Sequence, residues 1–131
     1  MNSKILSVDD SKTIRMLLRR LFTPFVCELF EAGDGKEGLD VATREKPDLI
    51  ILDYNMPVMD GVTMLRHRRE NPELKRTPVI MLTAEASPEI ISTVARLGVR
   101  DYVTKPFDSD QLLAKASRVV TLERRPETPE A

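Results

Sequence analysis

Four large apolar residues, Leu49, Ile50, Ile51 and Leu52, run unbroken into Asp53, with Pro47 before them and Pro57 after. An apolar run this short and this complete reads as a strand buried on both faces, in the middle of a parallel sheet. Asp53 then stands at the carboxyl end of a central strand, the edge beyond which open α/β sheets bind ligands. Taken alone, the aspartate could equally end a strand or cap the following helix. Its neighbours decide between these readings.

Upstream, Ile5-Leu6-Ser7-Val8 reads as a short strand stopped by Asp9-Asp10-Ser11. Ile14, Leu17, Leu18, Leu21 and Phe22 follow at helical spacing, an amphipathic helix that turns Arg15, Arg19 and Arg20 to solvent. Ser11 or Asp10 caps it, and Thr23-Pro24 ends it. Residues 26–32 form a second strand, Gly33-Asp34-Gly35 a turn, and residues 36–44 a second helix closed by Lys46-Pro47-Asp48. After the central strand, Asp60-Gly61 opens a basic third helix that reaches about Glu70 and stops at Asn71-Pro72. Val79-Ile80-Met81-Leu82-Thr83 is another continuous apolar strand. Pro88 suits the first turn of a fourth helix and Gly98 its stop. Tyr102-Val103-Thr104 is a last strand, leading into Lys105-Pro106-Phe107. Asp108 or Ser109 then caps a fifth helix carrying Leu112, Leu113, Ala116, Val119, Val120 and Leu122. Residues 123–131 read as a frayed tail. Strands and helices thus alternate five times, which implies an α/β fold with parallel strands, right-handed crossovers and helices on both faces.

The bulk numbers exclude several classes. A chain of 131 residues fits one domain with a real core. Twenty basic against 21 acidic side chains give a net charge of −1, so no overall basic field draws the chain to nucleic acid or anionic lipid. Cys27, the one cysteine, lies in an apolar run and reads as a small buried hydrophobe. With no disulfide available, no signal-like start and no run of about 20 apolar residues, a cytoplasmic protein without membrane insertion is expected.

Chemistry gathers where the strands end: Asp9-Asp10, Asp53, Thr83 and Lys105 all fall on one edge of a parallel sheet. Three carboxylates in one crevice repel and raise the pKa of at least one. A hard cation resolves this. Mg²⁺, or Mn²⁺ in its place, takes oxygen ligands and keeps waters and phosphate oxygens. Lysine binds phosphate oxygens as a point charge, and a threonine hydroxyl donates to another. The set suits phosphoryl transfer, with Asp53 as carboxylate nucleophile. Each residue has an ordinary alternative as cap, strand end or solvated lysine; their coincidence at four strand ends is what argues for a site.

These residues carry a resemblance. Val8-Asp9-Asp10-Ser11, Glu31-Ala32-Gly33-Asp34-Gly35, Pro47-Asp48-Leu49-Ile50-Ile51-Leu52-Asp53, Met56-Pro57-Val58-Met59-Asp60-Gly61, Leu82-Thr83-Ala84 and Asp101-Tyr102-Val103-Thr104-Lys105-Pro106-Phe107 together resemble the receiver domain of two-component response regulators. The match covers about residues 4–122 and is most similar to single-domain chemotaxis regulators, notably through Thr83-Ala84-Glu85-Ala86 and the lack of an effector domain. The resemblance implies a flavodoxin-like three-layer (βα)5 sandwich with strand order 2-1-3-4-5. It implies that residues 1–122 are the receiver domain, and that Asp53 accepts a phosphoryl group from a sensor histidine kinase or a histidine phosphotransfer protein. Mg²⁺ would be held by Asp10, Asp53 and the backbone carbonyl of Asn55, with Asp9 acting through water. Lys105 would bind a phosphate oxygen and precede a cis Pro106.

The switch implied by the family moves Thr83 inward and lets Tyr102 turn from exposed to buried, changing the face of the fourth helix, fifth strand and fifth helix toward a downstream protein. Asn55 and Glu85 flank the in-line approach and admit water, so a phosphoryl lifetime of seconds to minutes is expected. The chain would be a monomer or a weak, phosphorylation-dependent dimer, and a signalling switch rather than an enzyme acting on other substrates. The alternative is a shuttle or sink that passes the group between histidine proteins. A carboxylate-nucleophile phosphatase would want a second Asp two residues after the first, where Asn55 stands, and a nucleotide binder would want a phosphate loop where Asp9-Asp10 stand. Pro24 stands where the family more often turns on a glycine. Arg68 stands where its third helix usually has an apolar residue, so that helix is expected to shift or the arginine to snorkel. His67, among Arg66, Arg68 and Arg69 on a solvated face, is a poor metal ligand and a poor phosphoryl carrier.

Overall fold

The computed structural model describes residues 3–99 and 101–126. In chain order it contains β1 (Ser3–Val8), α1 (Lys12–Phe22), β2 (Cys27–Ala32), α2 (Gly35–Glu45), β3 (Leu49–Asp53), α3 (Gly61–Glu70), β4 (Val79–Thr83), α4 (Pro88–Arg96), β5 (Asp101–Thr104) and α5 (Ser109–Ser117). All strands are parallel and lie in the order β2-β1-β3-β4-β5, the flavodoxin-like arrangement. β3 is therefore central, and it and β4 are buried along their whole length.

Alternation along the strands divides the interior in two. Leu6, Val8, Ile50, Leu52 and Met81 face one layer with Val41, Met64, Leu65 and Val94 from α2, α3 and α4. Ile5, Ile51, Ile80 and Leu82 face the other, against Leu18 and Phe22 of α1 and Leu112 and Ala116 of α5. The sheet is thus sealed on both sides, and only its ends remain open to carry polar chemistry.

Every helix begins at a capping side chain. Ser11 accepts from the Ile14 amide, Asp34 from Glu37, Asp60 from Thr63, Ser87 from Ile90, and Asp108 from Asp110 and Gln111. Gly61 has a second duty. A β-carbon there would stand 2.5 Å from the Asp53 carbonyl oxygen, so only glycine lets α3 start this close behind the central strand.

Several expectations need correction. Leu17 is 42% exposed, while Arg15 turns toward the sheet end instead of solvent. The fifth helix stops at Ser117, short of Val119 and Leu122, although Val120 still packs into the core. Residues 123–126 are not frayed. The Val26 amide donates to the Glu123 carbonyl at 2.7 Å, the Arg125 amide to Pro24 at 2.8 Å, and Phe25 bridges Arg124. This strap is held by backbone hydrogen bonds, which composition does not register; residues 127–131 lie outside the described part.

Arg68 does not snorkel. It is 5% exposed, and its guanidinium donates to the Thr77 carbonyl at 2.9 and 2.7 Å and to the Leu97 carbonyl at 3.2 Å. Three donors from one planar fork thereby hold the approach to β4 against the end of α4. Replacing it by methionine keeps the volume and strands two carbonyls. We expect Arg68→Met to lower the free energy of unfolding by about 3 kcal/mol, read from urea denaturation; a change within experimental scatter would mean that water takes over both carbonyls.

Candidate functional site

Because the strands are parallel, the residues that follow β1, β3, β4 and β5 emerge on one edge. Asp9 continues the ladder, its amide donating to Ala32 at 3.0 Å, and is 1% exposed. Its Oδ1 accepts from the Ser11 amide at 2.9 Å. Asp53 closes β3 and is 4% exposed, with a long contact of 3.4 Å from the Asn55 amide. Asp10 is exposed beside them. One carboxylate oxygen from each of Asp9, Asp10 and Asp53 lies within 4.8 Å of the others.

Lys105 enters from the far side. Its amide donates to the Thr83 carbonyl at 2.8 Å, and its peptide bond to Pro106 is cis. Its Nζ stands 3.0 Å from Asp9 Oδ2 and 3.0 Å from Asp53 Oδ1, so one ammonium bridges two buried carboxylates. Burial alone would lower the lysine pKa, but hydrogen bonds to Asp53 and Asp9 outweigh it and the pKa is raised. Asp53 goes the other way from an ordinary carboxylate. Burial pushes its pKa up to about 6, the Lys105 hydrogen bond offsets part of that, and the Asp9 charge adds to the rise.

Oxygen donors gathered this closely fit a hard divalent cation, whose ligands lie about 2.0–2.1 Å from the ion. Asp10 follows β1 in the loop before α1 and Asp53 closes β3, so both carboxylates reach this edge beside Asp9. Thr83 is 2% exposed, yet its hydroxyl is turned to its own loop: it donates to the Glu85 carbonyl at 2.7 Å and accepts from the Glu85 amide at 3.2 Å. Asn55 and Glu85 are exposed at the rim. Tyr102 is half-buried against the core rather than fully exposed, and the Lys115 ammonium sits 5.5 Å from its ring centre.

The sequence reading missed Arg15. Its Nη1 donates to the Asp9 carbonyl at 2.5 Å and its Nε lies 3.3 Å from Glu31, which also pairs with Arg19. Arg15 thus ties the acidic loop to α1 and β2. The signal was available, since position 15 lies one helical turn beyond the Ser11 cap and so above the Asp9-Asp10 turn. His67 is exposed on α3, whereas its neighbour Arg68 is buried, so the expected basic face is broken.

The raised pKa of Asp53 has a direct consequence for stability. The unfolded chain loses this proton near 3.8 and the folded chain near 6. The folded state therefore binds more protons between these values, and the contribution is full below 3.8 and lost as pH rises through 6. The cost of the buried charge at neutral pH is about 3 kcal/mol. In metal-free, chelator-treated solution, Asp53→Asn should accordingly stabilise the protein by about 2–3 kcal/mol at pH 8 and by only about 1 kcal/mol at pH 4.5, measured by urea denaturation. Equal effects at both pH values would show that charge burial is not the cause.

Comparison with known proteins agrees with this geometry. The response regulator receiver domain model matches residues 5–117. The chain is 39% identical over 112 residues to sporulation initiation phosphotransferase F of Bacillus subtilis, covering 86% of this chain and 89% of that protein. It is 36% identical over 117 residues to the probable chemotaxis protein CheY of Rhizobium etli, covering 88% and 91%. Among solved structures, the chemotaxis response regulator CheY4 of Vibrio cholerae superposes with a TM-score of 0.85 at 37% identity, over 92% of this chain and all of that one. A match running from the first strand to the last helix, on a sheet of this order, places the chain in the family of response regulator receiver domains.

Proposed function

We propose that this receiver works as a Mg²⁺-dependent phosphoryl switch in the cytoplasm, with Asp53 accepting the group from a phosphohistidine on a sensor kinase or phosphotransfer protein. The observation that carries the reading is the Lys105 ammonium held 3.0 Å from both Asp53 and Asp9. An Asp53 oxygen attacks phosphorus in line, the new O–P bond forms as the P–N bond to imidazole breaks, and the imidazole leaves with the electron pair and takes a proton. Lys105 then follows the phosphoryl oxygens as a point charge. Asp10, Asp53 and the Asn55 carbonyl, with Asp9 behind them, would hold the Mg²⁺, which when bound would supply the charge neutralisation that spread phosphoryl charge requires.

The donor must reach this edge of the sheet. Beside it, a groove of about 470 Å³ runs between Ile14, Leu17 and Leu21 of α1 and Pro106-Phe107. The exposed Leu17 and Met16 on α1 give a helical partner an apolar edge to seat on while it presents its histidine. Thr83 responds next. Its hydroxyl must leave the Glu85 carbonyl to donate to a new phosphoryl oxygen, which frees the β4–α4 loop. The space it vacates admits the half-buried Tyr102 ring, and the α4-β5-α5 face changes toward its protein target.

Relatedness to a protein named as a phosphotransferase supports a second reading, in which the group is passed on to another histidine protein instead of being read at a target surface. Intact mass with a small phosphodonor separates the cases. We expect one phosphoryl group gained with Mg²⁺, none without it, and none in Asp53→Ala, with NMR shifts reaching Thr83 and Tyr102. With Asn55 and Glu85 open to water, decay should take seconds to minutes; a half-life of many hours would refute the water path. Rapid return of the group to a histidine phosphotransfer protein, with no shift at Tyr102, would favour the shuttle.

A further inference from the structure

At the opposite end of the sheet from Asp53, the starts of β4 and β5 and the ends of α3, α4 and α5 enclose a cavity of about 910 Å³. Its floor is apolar, formed by Pro78, Val79, Leu97 and Val99. Around it stand Arg69 from α3, Lys75 and Arg76 from the following loop, Arg96 from α4 and Arg118 from the end of α5. All five are exposed, and among the described residues none has a carboxylate within ion-pair distance. With Arg68 and Lys115, the lining holds seven of the chain's 20 basic side chains and a single acid, Asp101. That acid is neutralised by Lys115 at 2.6 Å.

Cations at helix ends have an ordinary explanation, because they complement the negative end of the helix dipole. Three features go beyond it. Lys75 and Arg76 belong to a loop, not to a final helical turn. The cations surround a concave apolar floor instead of pointing separately into water. The walls are also braced, since buried Arg68 fastens the Thr77 carbonyl on one side to the Leu97 carbonyl on the other. Five exposed cations around one recess whose single acid is already neutralised offer a place for an anion.

We infer that this cavity binds a phosphorylated small molecule of the nucleotide class, its phosphates on Arg69, Arg76, Arg96 and Arg118 and its base against the exposed apolar lining of Pro78, Ala95 and Val119. The volume is of the size that encloses such ligands, which pair an apolar body with a few directed polar groups. Arginine forks suit phosphate oxygens in pairs. The site also adjoins the switch strand: Lys115 lines the cavity and donates to the Tyr102 carbonyl at 2.8 Å, so an occupant that recruits this ammonium acts on the same strand as the aromatic.

The test titrates the ¹⁵N-labelled full chain with ATP in magnesium-free buffer containing chelator, in parallel with adenosine, tripolyphosphate and polyglutamate. We expect saturable ATP shifts confined to the amides of residues 75–80, 96–99 and 101–102, retained in Asp53→Ala. Adenosine and tripolyphosphate should each bind at least tenfold more weakly. Arg76→Ala combined with Arg118→Ala removes two exposed side chains outside the core and should weaken ATP about tenfold or more without altering phosphorylation at Asp53. Tripolyphosphate binding as well as ATP, or non-saturating shifts scattered over all surface arginines, would overturn the assignment and leave only dipole-complementing cations. Polyglutamate binding more tightly than ATP would overturn it in favour of an acidic protein segment.

Discussion

Two carboxylates buried a few ångströms apart would drive this sheet end open if nothing stood between them. Lys105 Nζ stands there, 3.0 Å from each, and the positions of Asp9, Asp53, Thr83 and β5 all follow from that placement. The lysine reaches the carboxylates because its own amide is pinned to the Thr83 carbonyl. One residue thus fixes the spacing of three strand ends. Burial raises the Asp53 pKa despite the lysine, and a cation bound beside the carboxylate would offset that. Function here consists of supplying what the resting site lacks.

The fold was legible because its signals are local and redundant. Short continuous apolar runs at 49–52 and 79–82, rich in β-branched residues and flanked by prolines, read as interior parallel strands, and each helix carries a Ser or Asp at its start. The site was legible for a topological reason: in a parallel sheet every strand delivers its last residue to the same edge, so position in the strand is position in space. What the sequence did not disclose are contacts made by long side chains and by backbone. Arg15 and Arg68 look like solvated arginines on helices of ordinary charge, and only the third dimension supplies the Asp9, Thr77 and Leu97 carbonyls that they hold. Thr83 was identified as a strand-end hydroxyl, but its present partner, Glu85, is set by loop geometry.

The two arginines divide the molecule's tasks. Arg15 stabilises the acidic loop, joining it through Glu31 to α1 and β2, on the side where the proposed phosphodonor would approach. Arg68 braces the far end of β4, where the basic cavity opens. Between them runs β4, buried throughout, with Thr83 at one end and Val79 at the other. Events at either end of this strand are separated by its length, yet they share a rigid element.

The strap at residues 123–126 has a practical consequence for anyone attaching a fluorophore or a second protein to this receiver. Because Glu123 and Arg125 are hydrogen-bonded beside the start of β2, residues 123–126 are held at that corner. β2 is the edge strand remote from β5, and its first residues lie at the end of the sheet away from Asp53. A label attached at Arg125 or Pro126 therefore sits at the corner diagonally opposite both the acidic edge and the α4-β5-α5 face, and leaves each of them open to be probed.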